Sequence, residues 1–281
     1  MELFAVTLEH GPFTANIDKF LQTLVEKSPH TRVRANALLV QIKRAQSWLS
    51  LESPKTLEVF KRQMERANPA FQAEAKLFLK KLESLDFKQL RKDLNEKLDL
   101  LGSKYFDVKV SGYQTAGNAA RRISHVINNV VIGKPAPELE AIDLDGNRFR
   151  LSELQGKNVV LIFAHGSPQN FAKNYAPVLQ MAARFRQAPV RVVMIISGMN
   201  NEQLKAARKK GELNWTVIPQ PTNGPLSQDW GIEGYPWAYI IDSRGILHPK
   251  VHMPNWGAGG YDASKISEKL DVLVGRVRTD D

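Results

Sequence analysis

His165 and Ser167 stand two positions apart at the end of an apolar run, Val159-Val160-Leu161-Ile162-Phe163. Alternate residues near a strand end point the same way, which would set a general base beside a nucleophile. That alternation is the only support for the pairing, so a turn with polar side chains is the preferred reading. His248 and His252 are four apart, the spacing of a helical metal pair. Pro249 lies between them and the segment reads as extended, which argues against both rings facing one ion. No metal site is expected. Gly257-Ala258-Gly259-Gly260 precede a helix capped at Asp262, and glycine turns at helix N-termini hold phosphate. No Lys-Ser or Lys-Thr follows, and an acidic cap opposes an anion, so a flexible connection is expected there. The chain has no cysteine, which removes disulfides, thiolate metal ligands and thiol nucleophiles from within it. No cofactor is expected either.

The elements that must position these residues are clearest over 158–185. The apolar run has the length and β-branched content of a strand buried on both faces. The turn His165-Gly166-Ser167-Pro168 follows it. Phe171, Tyr175, Val178, Met181, Ala182 and Phe185 then recur at helical spacing and form one apolar stripe. Junctions of buried strand and helix N-terminus are where α/β proteins place chemistry, yet this one carries no obvious reactive group.

At 281 residues the chain suits two domains. Hydrophobic residues make up 43% and charged residues 24%, enough for a proper core. No apolar run approaches the roughly 18 residues of a membrane span. The N-terminal stretch has no basic region followed by a long apolar one, so no signal peptide is expected. A cytoplasmic location follows if Met1 is the native start, an extracytoplasmic one if a leader has been removed. The net charge is +10: residues 1–130 hold 21 Lys/Arg against 14 Asp/Glu, or +7, and residues 131–281 hold 18 against 15, or +3. This balance makes nucleic acid or another polyanion a candidate partner. A solvated basic face is the preferred reading, because no binding motif organises the charge.

Residues 1–130 read as almost all helix. Stripes run through Ile17, Phe20, Leu21, Leu24 and Val25, then from Arg32 to Leu49, with Ser28-Pro29 between them. Two further helices follow Ser53-Pro54 and Asn68-Pro69. Another spans 87–101 and stops at Gly102, and a last one covers 116–130. Short proline-marked turns suggest antiparallel pairs, as in an α-hairpin or tetratricopeptide-like array, although no clean repeat of about 34 residues is present.

Gly133-Lys134-Pro135-Ala136-Pro137 stiffens the chain and marks a junction. Beyond it come a hairpin about Asp145-Gly146 within 139–151, the strand and helix described above, and a second buried strand over 190–196. A short basic helix over 201–210 stops at Gly211. Strands follow at 215–218, 237–241 and 246–247, with a helix over 263–277. The order predicts an α/β sandwich around a mixed sheet.

Two stretches, GKPAPELEAIDLDGNRFRLSELQGKNVVLIFA and WGIEGYPWAYIIDSRGIL, resemble the thioredoxin-fold proteins grouped as alkyl hydroperoxide reductase/thiol-specific antioxidant and thiol–disulfide oxidoreductases. The resemblance covers about half the chain. The helical segments VEKSPHTRVRANALL and KYFDVK are similar to those preceding this domain in some bacterial relatives. The expected fold is therefore a helical N-terminal domain over 1–130 and an α/β thioredoxin-like C-terminal domain over 131–281. The resemblance places Pro236 at the family's cis-proline. An ungapped register from Phe163 puts Pro168 and Phe171 where the family carries its cysteines, and a one-residue slip puts Gln169 and Ala172 there. Ser167, Pro168, Gln169, Asn170, Phe171 and Ala172 are thus the vestigial site positions. Tyr235, Pro236, Trp237 and Trp230, with Phe171, would line the groove in which the fold pairs extended polypeptide; alternatively these aromatics fill core space.

Without a sulfur the resemblance implies the fold and does not carry the activity. A redox-inactive interaction or scaffold module with a protein or peptide partner is the first expectation. The alternatives are an antioxidant-class oxidoreductase using an external thiol, and a polyanion binder acting through the helical domain.

Overall fold

The computed structural model describes residues 14–49, 51–52, 57–58, 61–62, 76, 79–80, 82–232, 234–253 and 261–276. The chain divides into two compact units, Met1–Ser124 and His125–Asp281.

In the first unit, α1 spans Thr14–Lys27 and α2 spans Thr31–Leu49, on either side of Ser28-Pro29 as the sequence predicts. Helix α2 packs against α1 and against α3, Phe87–Lys104. Ala35, Leu38, Leu39 and Ile42 are its buried stripe. Arg44, almost fully buried, lies 3.0 Å through Nε from Asp18 Oδ1 on α1. Asp86 caps α3 by accepting a hydrogen bond from the Gln89 N–H. Gly102 does not stop this helix. It sits inside α3, where a Cβ would come 3.3 Å from the Ala120 Cβ, so the glycine serves close approach to α4, Ala116–Asn129. The helices expected after Pro54 and Pro69 fall mostly outside the described residues. No described helix is long and apolar enough to cross a membrane.

In the second unit, β1 (Glu140–Ile142) and β2 (Arg148–Arg150) form the expected hairpin. The Asp143 carboxylate accepts from the N–H groups of Asp145 and Asn147 and closes its turn. A five-stranded mixed sheet follows: β3 Asn158–His165, β4 Val190–Ser197, β5 Thr216–Pro219, β6 Trp237–Ile241 and β7 Val251–His252, in the order β5-β4-β3-β6-β7. Strands β3, β4 and β5 run parallel to one another, whereas β6 is antiparallel to β3 and to β7. The helices are α5 Phe171–Arg184, α6 Asn201–Lys209, α7 Pro225–Asp229 and α8 Ser264–Leu273.

Strand β3 is central, and its alternation divides the core. Val160, Ile162 and Ala164 pack with Phe171, Tyr175 and Val178 of α5 and Ile266 and Leu270 of α8. Val159, Leu161 and Phe163 pack with Leu139, Phe149, Trp230 and Tyr239 on the other face. Burial on both faces explains why the run reads as unbroken apolar sequence.

Two expectations shift. Residues 246–247 form isolated bridges, Ile246 with Pro135 and Leu247 with Ile241, and no strand. The proline-rich junction is tied down accordingly, with Gly133 and Ala136 N–H groups donating to the Leu247 and Gly245 carbonyls. The last helix ends at Leu273, because Gly275 takes a left-handed φ of 73° and closes the terminal turn.

Candidate functional site

Strand β3 delivers His165 to its C-terminal end, opposite Ser197 at the end of β4. The chain then turns: the Gly166 N–H donates to the Ser197 carbonyl at 2.9 Å, and the Ser167 carbonyl accepts from the N–H groups of Asn170 and Phe171. Pro168, Gln169, Asn170 and Ala172 are exposed and Ser167 is half-buried. Phe171 is different. It is 1% exposed, with its ring 4.8 Å from that of Tyr175, and it belongs to the core. Burial pushes the Tyr175 hydroxyl far above the usual phenol range, and that group donates to the His165 carbonyl.

The peptide bond Tyr235–Pro236 is cis. Pro236 is buried, its carbonyl accepts from the Met253 N–H, and Tyr235 and Trp237 on either side are half-buried. Strand pairing sets Trp237 against Phe163 in β3 and His252 in β7. The Trp237 ring has the His252 ring at 4.9 Å and the Lys250 Nζ at 4.8 Å. The Tyr235 ring lies 6.0 Å from His165, inclined at 35°. Its hydroxyl donates to Ser227 Oγ at 3.0 Å, and the same oxygen accepts from Gln220 Nε2 at 2.5 Å. A polar chain therefore runs from the end of β5 through α7 to the cis-proline loop, and its aromatic end meets His165.

Of the residues expected to line a groove, Tyr235, Pro236 and Trp237 lie together by sequence and Tyr235 is brought to His165. Trp230 is not a groove residue. It is 2% exposed and packed between Phe163 and Tyr239 at 6.0 and 5.5 Å, so it fills core space. Phe171 is withdrawn from the groove for the same reason. The His165–Ser167 pairing is also replaced, because His165 Nδ1 lies 3.2 Å from Ser197 Oγ instead. Ser197 is fully buried and its hydroxyl donates to the Ala164 carbonyl, which does not suit a nucleophile.

His248 and His252 face different neighbours: His248 Nε2 lies 3.6 Å from Asp242 Oδ2, while His252 stacks on Trp237. Burial alone would raise the Asp242 carboxyl, but hydrogen bonds from the Ile246 and Arg244 N–H groups and the Arg244 guanidinium outweigh it and hold the group below the usual range. Among the described residues no three His, Asp or Glu side chains gather to hold a metal. The turn over 257–260 lies outside the described residues. Ser197, Gln220 and Ser227 carry no sequence signal of their own, since only the register of β3 on β4 and the position of α7 bring them to the site.

Residues 132–249 match the AhpC/TSA family. Over 140 residues the chain is 25% identical to the thiol:disulfide interchange protein DsbE of Haemophilus influenzae, spanning 48% of this chain and 74% of that protein. Similar solved structures include the thioredoxin domain of a thiol-disulfide oxidoreductase from Bacteroides vulgatus, at 19% identity over 51% of this chain and 98% of that one, TM-score 0.41. A secreted disulfide oxidoreductase of Mycobacterium tuberculosis homologous to E. coli DsbE is 24% identical over 48% of this chain and 96% of that one, TM-score 0.40. The family match thus covers residues 132–249 of a chain that has no cysteine.

Proposed function

We propose that the C-terminal unit binds an extended polypeptide segment beside the cis-proline loop and carries out no thiol–disulfide chemistry of its own, acting as an interaction or scaffold module. The observation that carries this reading is the pair of half-buried aromatics, Tyr235 and Trp237, flanking a cis Tyr235–Pro236 bond where no cysteine stands at the adjoining turn. Thiolate attack and disulfide exchange both require a sulfur. Binding of an extended chain requires only backbone hydrogen-bonding groups and apolar contact, and aromatic side chains of this kind suit a binding hot spot.

The test uses the whole chain, labelled with ¹⁵N, and dodecapeptides selected on it by phage display. Binding peptides should shift the amides of Tyr235 and Trp237, and Trp237→Ala should weaken them by about tenfold or more. Insulin-reduction and peroxide-consumption assays should be blank. Turnover in either assay, or peptides that leave those amides unmoved at millimolar concentration, would overturn the reading.

A further inference from the structure

Trp237 carries an unused hydrogen-bond donor at the cis-proline loop, and this adds to the peptide-binding reading, on which it rests, the chemistry of the bound segment. The Tyr235 hydroxyl is taken up inside the protein by Ser227 Oγ. Trp237 is half-buried, and its Nε1–H makes no hydrogen bond among the described residues and is not enclosed. Space lies open beside it. A Cβ on Gly234 would have that nitrogen, 3.9 Å away, as its one neighbour in contact among the described residues.

The direction of this donor depends on no tautomer or hydroxyl rotor. An indole N–H is donor only and lies in the plane of its ring. Strand pairing sets Trp237 opposite Phe163 in β3 and His252 in β7, with the His252 ring 4.9 Å away.

The charge beside the donor is positive. Lys250 Nζ lies 4.8 Å from the indole centroid, where the negative ring face holds a cation. Lys250 is exposed, and it emerges on the same face of the sheet as His252, two positions on, and Trp237. A cationic side chain would be repelled by Lys250 and would find no acceptor in the indole. An amide or hydroxyl oxygen would meet the donor without using the charge. A carboxylate answers both, because it is an acceptor and an anion.

We propose that the polypeptide segment bound at the cis-proline loop is acidic, with an Asp or Glu side chain whose carboxylate accepts the Trp237 Nε1–H beside the Lys250 ammonium.

The probes are dodecapeptides selected by display on the whole chain and then synthesised with an amidated C-terminus, so that side chains supply every carboxylate. They should share an Asp or Glu. Added to ¹⁵N-labelled protein, they should move the Trp237 indole N–H resonance downfield and leave that of the core residue Trp230 in place. Changing the shared acidic residue to Leu should weaken binding about three- to tenfold. Trp237→Phe, which keeps an aromatic ring and removes the donor, should cost a similar factor, with little further loss when the two changes are combined. Lys250→Met, which keeps the aliphatic stem and removes the charge, should cost about two- to fivefold at low salt and less at high salt. Binders without a common acidic residue, an indole resonance that does not move, or wild-type affinity in Trp237→Phe would each overturn the proposal. If the Tyr235 and Trp237 backbone amides still shift in any of those cases, only this proposal fails. If no peptide moves them, the binding reading fails as well.

Discussion

His165 and Ser197 face each other across the last rung of the β3–β4 ladder, with Nδ1 and Oγ 3.2 Å apart. One residue is exposed and the other fully buried. The strand end therefore carries its polar group on a buried hydroxyl anchor, where a thiol would need an electropositive, partly open surrounding to become a thiolate.

That anchor depends on Gly198, which adopts φ of 83°. In Gly198→Ala a methyl would press on the Gly166 carbonyl and the His165 ring in a conformation L residues rarely take. The variant should lose about 1–3 kcal/mol in urea denaturation, and its His165 ring resonances should move.

Trp230 and Trp237 should separate cleanly in stability. Trp230→Ala opens the core between Phe163 and Tyr239 and should cost about 3–5 kcal/mol. Trp237 is half-buried at the sheet surface, so Trp237→Ala should cost no more than about 1.5 kcal/mol. Denaturant midpoints for the two variants check this, and equal losses would contradict the assignment of Trp230 to the core.

The Ser227 hydroxyl takes two donors, so removing it should cost more than removing either one. Tyr235→Phe deletes the 3.0 Å bond from its phenol and should lose about 1 kcal/mol. Ser227→Ala strands both the Tyr235 hydroxyl and the Gln220 amide and should lose about 2–3 kcal/mol. Thermal melts of the two variants would rank them.

Asp242 supplies a pH signature. Its carboxyl is held below the ordinary value of about 3.9, because hydrogen bonds from Ile246 and Arg244 outweigh its burial. A carboxyl depressed in the folded state contributes stability above its unfolded value and loses it as pH falls through the folded one. Asp242→Asn should therefore be less stable at pH 7 by about 1–3 kcal/mol. Its stability should also fall less steeply below about pH 4 than that of the wild type. Parallel slopes in the two acid titrations would show that Asp242 is not a source of the dependence.

These sites differ in how far the sequence exposes them. Strand β3 and helix α5 are legible because burial on both faces and burial on one face leave different periodicities, a solid apolar run and a stripe of threes and fours. The Asp145-Gly146 turn is legible from local chemistry. Trp230 and Trp237 are not distinguishable as letters: both are aromatic, seven residues apart around the same proline, and only the packing of α7 against Phe163 sends one inside. Gly102 reads as a helix stop because glycine at a C-terminus and glycine at a close helix approach look alike. The His165–Ser197 contact spans 32 positions and is fixed by parallel register, which no local pattern encodes.

The same packing distinguishes the two ways of placing the missing thiols. Phe171 is 1% exposed and stacked on Tyr175, so a cysteine there would leave a cavity in the core cluster of α5. The double variant Pro168→Cys/Phe171→Cys should lose about 2–4 kcal/mol. Gln169 and Ala172 are exposed at the same turn, and Gln169→Cys/Ala172→Cys should stay within about 0.5 kcal/mol of the wild type. Both thiols of that second variant should react with a disulfide reagent in the native state, since neither position is covered. Urea denaturation of the two double variants decides the matter. If the pair at 168 and 171 proves as stable as the wild type, Phe171 does not hold the core and the slipped register loses its physical support.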